Sequence, residues 1–219
     1  LTIWLENGNK KSEGNYKDGN RYGKWIHWND YGQKNEEKNW KNGNLEGKVT
    51  QWNENGQIKS EGSYTEDNLV SETKYLYYEN GQKTEEHNYK YGKLDGIWTS
   101  WFESGQKQQV KNYKEDKREG KLTNWFENGN RKSEGNYKND LEDGKVTQWY
   151  ENGQKNLELN YKDGVKDGKV TQWKIGGDID IKGTYKDGNQ HGKWSQSKLM
   201  GGFTTFCYEN GRIIWSGCK

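Results

Sequence analysis

Residues 144–164 read GKVTQWYENGQKNLELNYKDG, and this stretch carries the signals of a β-hairpin. Its first part, Gly144 to Tyr150, is rich in β-branched and aromatic residues, which favour an extended backbone. The dipeptide Asn152-Gly153 follows and suits the two positive-φ positions of a tight hairpin turn. A return strand then leads to a second turn, which we expect to run from Asp163-Gly164 to Gly168. Because both turns are short, the strands are predicted to pair antiparallel.

The same signals recur along the chain at a step of 24 residues, with a single step of 25. The turn glycines are Gly8, Gly32, Gly56, Gly81, Gly105, Gly129, Gly153 and Gly177. A first aromatic column consists of Tyr16, Trp40, Tyr64, Tyr89, Tyr113, Tyr137, Tyr161 and Tyr185. A second consists of Trp4, Trp28, Trp52, Tyr77, Trp101, Trp125, Trp149 and Trp173. Landmarks that stay in phase in this way predict a repeat protein, an architecture that commonly provides a binding surface.

The apolar side chains of the chain are mostly rings. Leu, Ile, Val and Phe together make up 30 of the 219 residues, whereas there are 12 Trp and 15 Tyr. Three rings per unit, each burying ~150–250 Å², supply on the order of 10 kcal/mol at ~25 cal/mol per Å². This roughly matches the entropy cost of ordering half a unit, so each repeat is expected to depend on its neighbours.

Composition also bears on fold and partners. The chain has no alanine, the best helix former, which favours strands over helices. The formal net charge is only +2 and lysines alternate with glutamates, so we expect no nucleic-acid partner. No apolar run approaches 18 residues, which predicts no transmembrane segment. The predicted fold is all-β, an elongated single-layer antiparallel β-meander of about eight hairpin repeats with a C-terminal cap.

The motif Tyr161-Lys162-Asp163-Gly164, followed by Asp167-Gly168-Lys169 and joined to Tyr150-Glu151-Asn152-Gly153, resembles the MORN repeat, in particular its bacterial, antitoxin-like variant. The resemblance covers residues 1–195, predicted as the repeat array, and leaves 196–219 as a capping hairpin. It implies a meandering ribbon of hairpins without catalytic machinery. It also implies protein partners or membrane lipids, and it transfers no specific ligand-binding residue.

Two units depart from the pattern. Val70 to Lys74 replaces the usual Gly-Lys entry and carries the extra residue, so we expect a bulge or a longer turn there. Residues 174–181 lose the Glu-Asn-Gly signal but keep the phase.

Both cysteines, Cys207 and Cys218, lie in the predicted cap. A cysteine pair near one end suits a disulfide in an exported protein. A turn at Asn210-Gly211 places Cys207 opposite Ile214, so the disulfide requires a bulge or a tail that folds back. Two free thiols are the alternative.

We find no pattern that predicts catalysis, a metal site or a cofactor. The three histidines, His27, His87 and His191, fall in different units and at different positions within them. The glycines do not form a phosphate-binding motif before a helix. The chain is therefore predicted not to be an enzyme.

The candidate site is the second aromatic column, which we call the ladder: Trp28, Trp52, Tyr77, Trp101, Trp125, Trp149 and Trp173. In the structural interpretation, these rings stack on their neighbours and form the core. In the functional interpretation, some of them lie open and bind sugar rings or the apolar side chains of a partner.

The functional prediction is a non-enzymatic scaffold for protein–protein interaction or adhesion, exported or at the cell surface of a bacterium. The chain begins at Leu1 inside a repeat without an initiating Met, so a removed leader is compatible with this prediction. The alternatives are a glycan-binding module that uses the ladder, an intracellular antitoxin-like inhibitor of a toxin, and a subunit of a self-assembling fibre.

Overall fold

The structure is a computed structural model and describes residues 1–199 and 201–214. The chain divides into two compact units, Leu1–Trp98 and Thr99–Lys219. Every regular element in the described residues is a β-strand, and each strand pairs antiparallel with neighbours in sequence. The prediction of an all-β antiparallel meander of hairpin repeats is therefore confirmed.

Unit 1 contains β1 (Thr2–Trp4), β2 (Lys10–Lys17), β3 (Asn20–Trp28), β4 (Lys34–Lys41), β5 (Asn44–Leu45), β6 (Gly47–Trp52), β7 (Ile58–Thr65), β8 (Asn68–Tyr77) and β9 (Lys83–Lys90). The boundary between the units falls inside β10 (Lys93–Trp101). Unit 2 contains β11 (Lys107–Lys114), β12 (Lys117–Arg118), β13 (Gly120–Trp125), β14 (Arg131–Lys138), β15 (Leu141–Glu142), β16 (Gly144–Trp149), β17 (Lys155–Lys162), β18 (Val165–Trp173), β19 (Ile179–Lys186), β20 (Asn189–Ser197), β21 (Phe203–Glu209) and β22 (Arg212–Ile213). The predicted cap boundary after residue 195 falls inside β20, and the division into array and cap stays a prediction.

The turn at the Glu-Asn-Gly signal differs from the predicted one. Tyr150 N donates to Gln154 O at 2.8 Å and Gly153 N donates to Tyr150 O at 2.9 Å, which closes a three-residue loop. Gly153 has φ +85°, whereas Asn152 does not have a positive φ. Three-residue hairpin loops combine a type I turn with one left-handed residue, so a single glycine is enough. Asn152 contributes through its side chain, whose Oδ1 accepts a hydrogen bond from Gln154 N at 3.0 Å.

The two-residue turn lies at the other end of the hairpin. Asp163 and Gly164 both have positive φ, 47° and 79°, as a type I′ turn requires. The predicted turn that runs on to Gly168 is wrong, because β18 begins directly at Val165. Gly168, at φ +107°, instead lies in a bulge between the pairs Leu159↔Val170 and Tyr161↔Lys166.

The two departures from the repeat have a simple structural outcome. Opposite β7, β8 pairs Ser63 with Ser71 and Tyr64 with Leu69, so the predicted bulge is present and contains Val70. The loop at 174–178 keeps the geometry of the other loops, since Lys174 N donates to Asp178 O at 2.8 Å. The 24-residue spacing of the repeat is therefore kept although the Glu-Asn-Gly sequence is absent from this loop.

Four of the five buried apolar residues occupy one position of the repeat, which we call the central column. Its buried members are Trp25, Val49, Val170 and Trp194, its half-buried members are Trp98, Leu122 and Val146, and the exposed Lys74 occupies it in the repeat that carries the extra residue. In unit 1, Trp25 and Val49 are 2% and 5% exposed. In unit 2, Val170 and Trp194 pack with Leu159 into one cluster.

The two most buried tryptophans have the same surroundings. In unit 1, Trp25 lies against Gly14, and its Nε1 donates to Asn15 O at 3.0 Å. The ring of Tyr16 meets it edge-on, with 5.1 Å between centroids.

In unit 2, Trp194 lies against Gly183 and donates to Thr184 O at 3.1 Å. The ring of Tyr185 contacts it edge-on at the same 5.1 Å. A glycine on one strand therefore makes room for an indole on the next.

Candidate functional site: the ladder surface

Each ladder ring belongs to the last residue of its strand. Trp28, Trp52 and Tyr77 end β3, β6 and β8 in unit 1, and Trp101, Trp125, Trp149 and Trp173 end β10, β13, β16 and β18 in unit 2. All seven side chains are half-buried. Where the pairing is described, the register shifts immediately before the ring, as between Gln172 and Trp173. The position is thus set by the bulge and by the three-residue loop that follows it.

Lysine side chains lie between successive rings. The Nζ of Lys10 is 5.8 Å from the centre of the Trp4 ring and 5.5 Å from that of Trp28. Lys34, the register partner of Trp28, lies over Trp52 at 5.6 Å. An ammonium group over an indole face is attracted by the ring quadrupole.

Unit 2 repeats this arrangement. Lys155 is the register partner of Trp149 and lies 5.7 Å from the Trp173 ring centre. In each unit, we call the rings and these lysines, together with the glutamates that bind the lysines, the ladder surface of that unit.

Glutamates hold the lysines in place. Glu158 accepts contacts of 2.6 Å from both Lys145 and Lys155. Burial alone would raise the pKa of Glu158, but hydrogen bonds from the two lysines hold it below its ordinary value. The same causes lower the pKa of Glu37, which pairs with Lys24 at 2.5 Å and with Lys34 at 3.3 Å. The ladder surface therefore carries fixed charges of both signs at neutral pH.

The structural interpretation, in which the ladder rings stack on their neighbours and form the core, and the functional interpretation both stay predictions. The most buried apolar residues are Trp25, Val49, Leu159, Val170 and Trp194, whereas the ladder rings are half-buried, with lysines over Trp52 and Trp173. The central column has the same 24-residue step as the ladder, from Val146 to Val170 to Trp194, so this signal was present in the sequence. The signal of the central column is weaker than that of the ladder, because the position is aliphatic in some repeats and aromatic in others.

The first aromatic column is half-buried from Trp40 to Tyr185, whereas its first member, Tyr16, is exposed. Burial raises the pKa of Tyr113 and Tyr161 above the ordinary tyrosine value. Outside this column, burial and the nearby carboxylates of Glu61 and Glu86 raise the pKa of Tyr75 to about 12. These phenols therefore stay neutral near pH 7. The guanidinium of Arg118 stacks on Tyr137 at 4.3 Å.

Among residues 1–199 and 201–214, no cluster of three or more His, Cys, Asp or Glu side chains is arranged to hold a metal ion. The part of the chain that the structure describes also has no helix with the length and apolarity needed to cross a lipid bilayer.

The predicted turn at Asn210-Gly211 is present, and Ile214 N donates to Cys207 O at 2.8 Å, as the register of that turn requires. Cys218 lies outside the described residues, so the disulfide between Cys207 and Cys218 stays a prediction.

Comparison with known families supports the repeat assignment. A model described as MORN repeat variant matches five segments, residues 1–18, 45–66, 94–115, 118–139 and 142–163. The last two segments each contain the two strands around one three-residue loop, β13–β14 and β16–β17. The comparison with curated proteins gave no match. The sequence step, the hairpin geometry and the matched segments agree that the chain is a MORN-repeat protein built from the variant form of the repeat.

Proposed function

We propose that this MORN-repeat protein is a non-enzymatic scaffold whose ladder surface binds another protein. MORN repeats generally serve as interaction modules for proteins and membranes. The observation that carries the proposal is the alternation of half-buried indole rings with lysines held by glutamates. Tryptophan is enriched among the residues that dominate protein–protein binding energies.

The lysines favour a protein partner over a glycan. A sugar ring that stacks on tryptophan needs an open ring face, and Lys34 and Lys155 lie over the faces of Trp52 and Trp173. A glycan would have to displace ammonium groups that also pair with carboxylates. A protein can instead use the exposed ring edges and complement the neighbouring charges.

Affinity capture with paired variants tests the proposal. The baits are the wild-type chain, Trp52→Ala, Trp173→Ala and the control Tyr31→Ala, whose ring is 83% exposed in a loop outside the ladder. We expect one protein that the wild type and the control retain and that both ladder variants lose. Circular dichroism establishes that each bait is folded.

Two outcomes contradict the proposal. One is that every captured protein binds all four baits equally. The other is that a polysaccharide shifts the tryptophan emission of the wild type but not that of the ladder variants, which would make the ladder a glycan site.

We extend the proposal to location, namely export or display at the cell surface of a bacterium, supported by the predicted Cys207–Cys218 pair. Mass spectrometry of the full-length gene product from its native host provides the test. A cleaved leader with an oxidised cysteine pair is expected. An uncleaved chain with reduced cysteines and a co-encoded toxin that binds it would instead support the intracellular inhibitor.

A further inference from the structure

One position of the repeat changes its charge near the end of the array. Counting in steps of 24 from Glu134 gives Glu158 and then Lys182. The backbone environment of the two later residues is the same. Glu158 pairs with Thr147 and Thr171 on the flanking strands, and Lys182 pairs with Thr171 and Ser195. A lysine therefore occupies the place of a glutamate without a change of register.

The lysines around this position lose their usual partner. Lys145 pairs with Glu158 at 2.6 Å, and Lys121 pairs with Glu134 at 3.0 Å. Lys169 and Lys193 follow Lys145 at steps of 24, and the position equivalent to Glu158 is Lys182 for Lys169 and Phe206 for Lys193. No ion pair within the described residues includes Lys169, Lys182 or Lys193. Three ammonium groups thus lie around a site where the two preceding repeats provide a carboxylate, Glu134 and Glu158.

These lysines line a groove of about 530 Å³ within unit 2. The same groove contains the hydroxyl groups of Thr171, Thr184, Ser195 and Thr205, and no acidic residue. Hydroxyl and ammonium groups are hydrogen-bond donors, so the groove presents donors and positive charge together.

One apolar side chain completes the groove. The ring of Phe203 is 46% exposed, and Lys182 Nζ lies 5.7 Å from its centre. The groove therefore offers a carboxylate-sized anion site next to an apolar contact.

We propose that this basic groove binds a carboxylate side chain from an acidic segment of the partner protein, a proposal that rests on the scaffold function given above. The choice of a carboxylate follows from the preceding repeats, in which lysines at the equivalent positions hold a glutamate carboxylate. A carboxylate bound in the groove supplies the ion pairs that Lys169 and Lys193 lack. The volume admits more than one side chain, and Phe203 contacts an apolar neighbour of the acidic residue.

The probe is an acetylated and amidated tetraglutamate peptide, with the tetraglutamine peptide and inorganic sulfate as comparisons. Binding is followed at low ionic strength by the amide resonances of β18 to β21. We expect the tetraglutamate peptide to shift the amides that line the groove, and the tetraglutamine peptide to leave them unchanged.

The key variant is Lys182→Glu, which restores the residue type of the earlier repeats and is expected to fold as well as the wild type. It should weaken tetraglutamate binding by about tenfold or more. Lys174→Glu makes the same change of charge in the exposed loop outside the groove and should bind like the wild type.

Three results would overturn the assignment: equal binding of both peptides, unchanged binding by Lys182→Glu, or amide shifts with sulfate alone. If the ladder-dependent partner binds but tetraglutamate does not, the groove proposal fails and the scaffold function stands. If tetraglutamate binds but no captured protein depends on the ladder, the scaffold function fails and the groove is an anion site of another purpose.

Discussion

Replacing Gly183 by alanine should reveal how the core of unit 2 is packed. Gly183 has an ordinary backbone conformation, so the substitution adds a methyl group without φ strain. That methyl group would overlap the indole of Trp194, which is 6% exposed and lies directly against the glycine. Either the ring or the backbone must therefore move.

The two responses have different costs. If the ring moves into solvent, unit 2 loses the burial of roughly 150–250 Å², an upper limit of about 4–6 kcal/mol at ~25 cal/mol per Å². If the ring stays and the strands separate slightly, overpacking costs about 1–3 kcal/mol. The chain adopts the cheaper response, so Gly183→Ala should destabilise unit 2 by about 2 kcal/mol.

Urea unfolding followed by circular dichroism measures this difference, and two other glycines of unit 2 calibrate it. A Cβ on Gly135 would lie 3.0 Å from Val146 Cγ2, so Gly135→Ala should cost about 1 kcal/mol. A Cβ on Gly176 meets nothing within 4 Å, and Gly176→Ala should lie within ~0.5 kcal/mol of the wild type.

A double-mutant cycle assigns the cost to the indole. Valine occupies the central column at Val146 and Val170, so in a Trp194→Val background Gly183→Ala should cost less than about 1 kcal/mol. The reasoning is refuted if Gly183→Ala is as mild as Gly176→Ala, or if its cost is the same with valine at position 194.

The remaining predictions concern the charges and the loops. Because its pKa is lowered in the folded protein, Glu158 stabilises the fold above the pKa of the unfolded state, and this contribution disappears as the pH falls through the folded pKa. Glu158→Gln should therefore lower the melting temperature at pH 7 and flatten its decline below about pH 4.5, as a melting series in pH will show. Asp140→Asn keeps a side chain that tolerates the φ of 69° but removes the charge that pairs with Arg118, whose N and Nε donate to Asp140 Oδ1 at 2.9 Å and 3.1 Å, so it should lower the melting temperature at low salt, and the loss should shrink in high salt. Gly153→Ala should cost about 1 kcal/mol in urea unfolding, because its φ of +85° is strained for alanine, and a cost near zero would contradict the loop geometry.

The repeat, its length and its antiparallel strands could be predicted from the sequence because they depend on periodic signals. The turn types could not be assigned correctly, since Asn152-Gly153 and Asp163-Gly164 look alike as dipeptides. What separates them is the number of residues in each loop, which follows from the pairing of the strands. The bulge at Gly168 could not be predicted for a similar reason. A glycine with positive φ is found in bulges as well as in turns, so the residue type alone does not distinguish them.

The ladder was found as a set of positions, but its environment was not predicted. The interleaving of Lys34 with Trp28 and Trp52 arises from side chains on different hairpins, and the spacing of one residue type does not reveal it. The basic groove could have been noticed, since Lys182 reverses the charge of a position that is glutamate in every earlier repeat except at Val110. The position of this lysine in the sheet required the strand register. Only the pairing of Lys182 with Thr171 and Ser195 shows that it occupies the place of a glutamate in the structure.

Main-chain hydrogen bonds between successive hairpins explain why such a replacement is tolerated. In unit 2, Gly164 N donates to Glu142 O at 2.8 Å and Gly188 N donates to Lys166 O at 2.9 Å, so each two-residue turn is attached to the one before it by backbone atoms. These bonds do not depend on the side chains at the glutamate position or in the central column. A column can therefore change its chemistry at one repeat while the strands keep their register. In a fold stabilised in this way, function should be sought where a column is interrupted, and Lys182 is such a position, where the lost ion pair leaves charge available to a partner.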